Sequence, residues 1–220
     1  MCQFTQVSIL NITQLLFYAK LLEKGDPVRV PPPPRQPART RRSRDYLTPN
    51  EVDQLIRAAC HTGRYGHRDA TMILMTYRHG FRVSELVALT WGQIHLQEGT
   101  LDVRRRKNGL HNTHPLWGPE IRALRRLRRE WPDTNYLFLS ERNAPLTART
   151  FQQIVLRAGR EAGISFPVNV HALRHACGYK LANDGQDLRT IASYLGHRTL
   201  QSTMRDTEVN ARRFGRFWQD

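Results

Sequence analysis

Apolar residues recur along this chain at two different periods, and the switches between them mark out its elements. Val52, Leu55, Ile56 and Ala59 fall at i, i+3, i+4 and i+7, the stripe that one face of an α-helix presents. Thr48-Pro49-Asn50-Glu51 stands directly before them, a capping box with proline at the first helical position, and predicts where that helix starts. Ala70, Ile73, Leu74 and Tyr77 repeat the stripe and stop near Gly80, and Val83 to Leu89 predicts a short third helix. Between Gln93 and Trp117 the period shortens. Thr100-Leu101-Asp102-Val103 alternates and Asn108-Gly109 is a hairpin signal, so a small antiparallel sheet is expected with Lys107 at the mouth of its turn. Helical spacing then returns in Ile121, Leu124, Leu127 and Trp131, and again in Phe151, Ile154, Val155, Ala158 and Ala162. It returns twice more, in His171 to Asn183 with Gly185 as its stop, and in Leu188, Ile191, Ala192 and Leu195. No segment repeats another. The expected fold class is mainly α with a small antiparallel β-sheet, an α+β domain over residues 47–220.

Two segments precede that domain. Residues 1–24 carry Ile12, Leu15, Leu16, Ala19 and Leu22 at near-helical spacing, an amphipathic segment suited to packing on the domain or on a partner. Residues 25–46 read as a linker: Pro31 to Pro34 favour extended geometry, and Arg35, Arg39, Arg41, Arg42 and Arg44 follow with almost no apolar content. Such an arm is either a solvated tether or a strip that lies along a DNA backbone through arginines such as Arg41 and Arg42.

Charge changes the picture most. The 220 residues carry a formal net charge of +15, and most of the cations are arginines, whose forked donors suit phosphate. An excess of this size implies a polyanionic partner, nucleic acid before membrane. Cys2, Cys60 and Cys177 have no paired spacing and support neither a disulfide framework nor a zinc site, which fits a reducing cytoplasm. No apolar run approaches the roughly 20 residues that span a bilayer, and the first residues lack the features of a secretory signal.

Five cations stand apart as candidate chemistry. A phosphodiester is held for attack by donors on its non-bridging oxygens, and Arg82 and Arg174 each offer two parallel ones. His171 and Arg174 are three apart, on one face of a helix. His171 and His197 titrate near neutrality and can move protons or donate to phosphate. Lys107 can bring an ammonium to a leaving oxygen. Taken singly, each has a plainer reading. Arg82 can pair with Glu85 at the surface, and His171 with His175 can form half of a metal site. His197 can cap a helix end, and Lys107 can join Arg104, Arg105 and Arg106 as general phosphate-binding charge.

In this order and separation the set resembles the catalytic domain of the tyrosine recombinases, the phage-integrase family. Gly80-Phe81-Arg82-Val83-Ser84-Glu85-Leu86 is similar to its first arginine motif, and Lys107-Asn108 to its hairpin lysine. His171-Ala172-Leu173-Arg174-His175 is similar to its His-x-x-Arg box, and Leu195-Gly196-His197-Arg198 to its last histidine. The resemblance covers about residues 46–218 and is nearest to short members such as the fimbrial phase-variation invertases. It implies duplex DNA as partner and no cofactor or metal. It also implies Arg82, Arg174 and His197 on the scissile phosphate, His171 as base and Lys107 as acid for the 5′-oxygen. Position 206, where the family carries its nucleophilic tyrosine, is Asp206. A carboxylate there is short, and its charge repels a phosphate diester, so strand cleavage is expected to be impaired, or the chain to be an inactive DNA-binding relative. The aromatic close Phe214, Phe217 and Trp218 reads either as core anchors or as a segment docking on a neighbouring protomer, the route to a homo-oligomer on DNA.

Overall fold

The capping box expected at Thr48 forms. Thr48 Oγ1 accepts from the Glu51 backbone N–H at 3.4 Å, and Glu51 Oε2 accepts from the Thr48 N–H at 2.8 Å. Helix α1 (Pro49–His61) starts there and buries Val52, Leu55 and Ala59. The computed structural model describes residues 46–105, 111–131, 134–197 and 199–206; the side chains of Arg205 and Asp206 lie outside that description. The expectations for residues 1–24, for residues 25–45 with Arg41 and Arg42, and for Phe214, Phe217 and Trp218 all fall outside the described residues.

Helix α2 (Gly66–His79) is buried on nearly every side. The stripe expected from spacing is not its deepest part: Leu74 and Tyr77 are half-buried, whereas Met72, Met75 and Thr76 are fully covered. The reason is position. The helix packs against α1, against α4 (Gly118–Glu130) and α6 (Val170–Asn183), and touches α5 (Ala148–Glu161), so it has no broad polar face. Its buried hydroxyls bond back to their own helix, Thr71 Oγ1 to the His67 carbonyl and Thr76 Oγ1 to the Met72 carbonyl.

The expected third helix is shorter than its apolar run. It spans only Val83–Leu86 (α3), and Leu89 is held in the following turn by its N–H to the Leu86 carbonyl. After a 3₁₀ turn at Trp91–Gln93 come β1 (Ile94–His95), β2 (Thr100–Val103) and β3 (Asn112–Pro115), in sheet order β1-β2-β3 and antiparallel throughout. Leu101 pairs with His114 in that register. Lys107 and the Asn108-Gly109 signal lie outside the described residues.

Helix α4 sets Leu124 and Leu127 in the core and leaves Arg122, Arg125, Arg126, Arg128 and Arg129 exposed. Helix α5 buries Phe151, Ile154, Val155 and Ala158, as its spacing predicts. Helix α6 begins at the Asn169 side chain, which accepts from the Ala172 N–H, and ends before Gly185. In helix α7 (Leu188–Leu195) Ile191, Ala192 and Leu195 are buried, but Leu188 is exposed; it is the first residue of the helix and overhangs the core. A further helix, α8 (Leu200–Asp206), occupies a stretch to which spacing assigned no element. One core joins α1 to α6 and the sheet, and a smaller cluster of Cys177, Ala182, Ile191 and Leu195 seats α7 on α6. Among the described residues no helix is long and apolar enough to cross a membrane.

Candidate active site

Two glycines shape the backbone of the site. Gly80 follows α2 in the left-handed conformation (φ 58°), and a Cβ there would run into Leu195 Cδ2. Gly196 follows α7 in the same conformation (φ 67°), and a Cβ there would lie 2.6 Å from Arg105 Cγ. Each turn therefore requires glycine for its φ and for space. The two turns deliver Phe81-Arg82 and His197.

Arg82 precedes α3 and is tied to Glu85 twice: its backbone N–H donates to Oε2 at 3.0 Å and its Nη1 to Oε1 at 2.9 Å. The pairing anticipated as a surface contact is only half at the surface, with the Arg82 side chain 35 % exposed and Glu85 1 %. Burial alone would raise the Glu85 pKa. The Arg82 backbone N–H, the Arg105 charge and both side-chain hydrogen bonds outweigh it and hold the carboxyl below its usual range. Arg82 and His171 line one cleft of about 310 Å³ together with Ser84, Gln152 and Asn169. His171 is exposed in the first turn of α6, its ring edge-on to His175 at 4.3 Å. Among the described residues no group of three His, Cys, Asp or Glu side chains is arranged to hold a metal ion.

Arg174 lies one turn on and is 1 % exposed. Its Nη1 donates to the Gly80 carbonyl and its Nη2 to the Leu195 carbonyl at 2.8 Å. Those carbonyls lie two residues before Arg82 and two residues before His197, so this guanidinium brings both turns against α6. His197 is buried, its N–H donates to the Ala192 carbonyl at 2.8 Å, and its Nδ1 lies 2.9 Å from Thr203 Oγ1. Thr203, fully buried on α8, was not singled out by sequence; a threonine in a short polar stretch carries no periodic signal. Asp206 is the last residue of α8, one turn beyond Thr203.

The structure corrects one expected DNA contact. Arg105 is 3 % exposed, and its guanidinium donates to the carbonyls of His79 (2.8 Å), Gly80 (3.2 Å) and Tyr194 (2.8 Å) and to Glu85 Oε2 (3.1 Å). A group so enclosed does not reach a DNA backbone. Strand alternation held the signal: Leu101 and Val103 point inward and Asp102 and Arg104 outward, and the same count carried two residues further turns Arg105 inward. Arg104 is exposed, lining a shallow hollow with Asp102 and His111. Arg106 and Lys107 are outside the described residues.

Behind the site runs a buried polar row that spacing did not reveal. His79 Nε2 is 2.7 Å from Glu120 Oε1, and His79 Nδ1 is 3.1 Å from His114 Nδ1. The His114 ring stacks on Tyr194 at 3.9 Å, and the Tyr194 hydroxyl donates to the Arg78 carbonyl at 2.9 Å. Burial, then the charges of His79 and Arg105, push the His114 pKa down to about 3. Burial raises the Tyr194 phenol above its ordinary value, and its hydroxyl is already committed to the Arg78 carbonyl.

A model described as the phage integrase family matches residues 45–213 of the chain. Type 1 fimbriae regulatory protein FimE of Escherichia coli K12 is 42% identical over 182 residues, covering 80% of this chain and 91% of its own length. Among solved structures, the crystal structure of XerA recombinase superposes with a TM-score of 0.70 at 26% identity, covering 94% of this chain and 72% of that one. The XerH site-specific recombinase bound to its palindromic difH substrate superposes with a TM-score of 0.68 at 20% identity over 78% of this chain and 51% of that one, a likeness of fold.

Proposed function

This chain belongs to the phage integrase family, the tyrosine recombinases, and on that premise we propose that it is a DNA-binding protein of the site-specific recombinase type whose strand cleavage is impaired at Asp206. One observation carries the reading. Arg174 binds the backbone two residues before Arg82 and two residues before His197, which supports a shared phosphate site for these cations, while position 206 is an aspartate. The net charge of +15, carried mostly by arginines, supports duplex DNA as the ligand.

The residues divide the work as follows. Arg82 and His171 share the open cleft, where a phosphodiester would place its non-bridging oxygens between a guanidinium and an imidazole. Arg174, buried and bonded to two carbonyls, acts from within the fold by holding together the turns that carry Arg82 and His197. His197 is held through Nδ1 by Thr203, and its imidazole would serve the phosphate as a hydrogen-bond donor. Lys107 would protonate the departing 5′-oxygen. In a full family reaction a tyrosine oxygen attacks phosphorus, the P–O5′ bond breaks, and the phosphotyrosine ester stores the bond energy for rejoining. Asp206 replaces that phenol with a shorter group of the wrong charge, so the phosphate is bound and formation of the ester is impaired.

A second reading is an inactive pseudo-recombinase that occupies or regulates recombination sites. It is favoured by the state of Tyr194, whose ring is stacked on His114 and whose hydroxyl donates to the Arg78 carbonyl at 2.9 Å, so that it does not stand ready to replace the missing attacker. The deciding experiment incubates the natural chain and Asp206→Tyr with a nicked duplex that traps covalent intermediates. Duplex binding by both and a denaturant-resistant adduct from Asp206→Tyr alone is the expected result. An adduct from the natural chain would refute impairment. DNA binding without any adduct from Asp206→Tyr would count against the site.

A further inference from the structure

The last carbonyls of a helix have no partner within it. At the end of α7 three in a row are taken by side chains from elsewhere. Asn112 Nδ2 of β3 donates to the Ser193 carbonyl at 2.5 Å, Arg105 to Tyr194 and Arg174 to Leu195. Two of the three are cations, which the negative end of the helix dipole favours. The next residues are Gly196 and His197. Arg105 also packs against the α-carbon of Gly196, grips the carbonyls of His79 and Gly80, and shares Glu85 with Arg82. In sequence it stands two residues before Lys107.

From this we propose that Arg105 is a positioning residue of the phosphate site: it locks the Arg82 turn to the His197 turn, so that two cations from distant segments keep one mutual register. The inference rests on the phosphate-site reading above. Arg105 touches no DNA; it acts through Glu85, which orients Arg82, and through the end of α7, which delivers His197. Its charge is required as well as its reach. Glu85 is buried and ionised between two arginines, and with Arg105 gone one buried carboxylate would have to serve Arg82 with half its compensation lost. A lysine in its place brings a charge but a single donor atom, which cannot reach three carbonyls and a carboxylate lying in different directions.

The test uses the full-length chain with Arg105→Met, Arg105→Lys, Arg82→Ala and the double change Arg82→Ala with Arg105→Met. Each is titrated with a fluorescent duplex of arbitrary sequence across a salt series. Arg105→Met is expected to weaken low-salt binding about tenfold and to flatten the slope of log affinity against log salt by roughly one phosphate contact, although the side chain is buried. The double change is expected to lose little beyond Arg82→Ala, because the two act as a unit, and Arg105→Lys is expected to recover part of the affinity. Hydrogen exchange on the free chain should accelerate in 79–86, 111–116 and 193–197 of Arg105→Met while 49–61 and 148–161 keep their protection. An unchanged salt slope, additive losses, or exchange that rises evenly through all helices overturns the proposal and leaves Arg105 a packing residue. If the unaltered chain shows no salt-sensitive duplex binding, the phosphate-site reading fails by itself, and the exchange pattern still decides the role of Arg105.

Discussion

Arg174 and Arg126 are the same residue type in opposite circumstances. Arg126 is exposed and pairs at 2.8 Å with Glu130, four residues on along its own helix, a contact of a few tenths of a kcal/mol that water screens. Arg174 is buried, and its loss strands the Leu195 carbonyl, at about 1–3 kcal/mol, and leaves that of Gly80 to Arg105 alone. Arg174→Ala is therefore expected to lower both thermal stability and duplex affinity, and Arg126→Ala to leave both nearly unchanged. Binding titrations and melts of the two variants check this, and equal effects would contradict a focused site. At this scale the sequence was legible where chemistry repeats a motif, as in His171 with Arg174. It was silent where one arginine differs from its neighbours only by facing inward: nothing in Arg104-Arg105-Arg106 marks the middle one except the strand register.

At the scale of elements, the buried row of Glu120, His79 and His114 joins α4, α2 and β3, and Tyr194 adds α7. No spacing rule reveals it, because each member comes from a different segment and is polar in a position where a core residue is expected. Its consequence is a dependence of stability on pH. The folded chain holds His114 neutral down to about pH 3, with Arg78, His79, Arg105, Tyr194 and Glu120 around it. The unfolded histidine takes up its proton near pH 6.5, so between those values the unfolded state binds more protons and stability falls as the pH falls. Glu120 acts in the same direction at lower pH. Burial opposes its charge, yet His79, the Trp117 N–H and Arg78 hold it ionised below the usual carboxylate range, and that support is lost as acid protonates it. Urea melts from neutrality to pH 4 are expected to lose on the order of a few kcal/mol. His114→Leu should flatten the upper part of that decline, and an unaltered profile would show that His114 does not titrate as described.

For the whole molecule, the capping box, seven of the helices and a small antiparallel sheet follow from periodicity and turn residues, because each is a local pattern that the core then reinforces. The all-round burial of α2 and the existence of α8 do not, since both depend on what surrounds them. The net charge of +15 is also a property of the whole chain, and part of it lies in Arg35, Arg39, Arg41, Arg42 and Arg44, ahead of the capped start of α1. Removal of residues 1–44 is expected to leave the melting transition of the domain in place and to reduce duplex affinity with a shallower salt slope. Loss of the cooperative transition in the truncated chain would show that those residues are part of the fold.

The first described residue, Tyr46, lies flat on Tyr179, ring centres 4.1 Å apart and planes 17° from parallel. Tyr179 belongs to α6, five residues past Arg174, a distance of about 7.5 Å along the helix axis. The backbone at Tyr46 is thereby tied, through a pair of stacked rings, to the helix that bears His171 and Arg174, so a displacement at Tyr46 would be felt along α6.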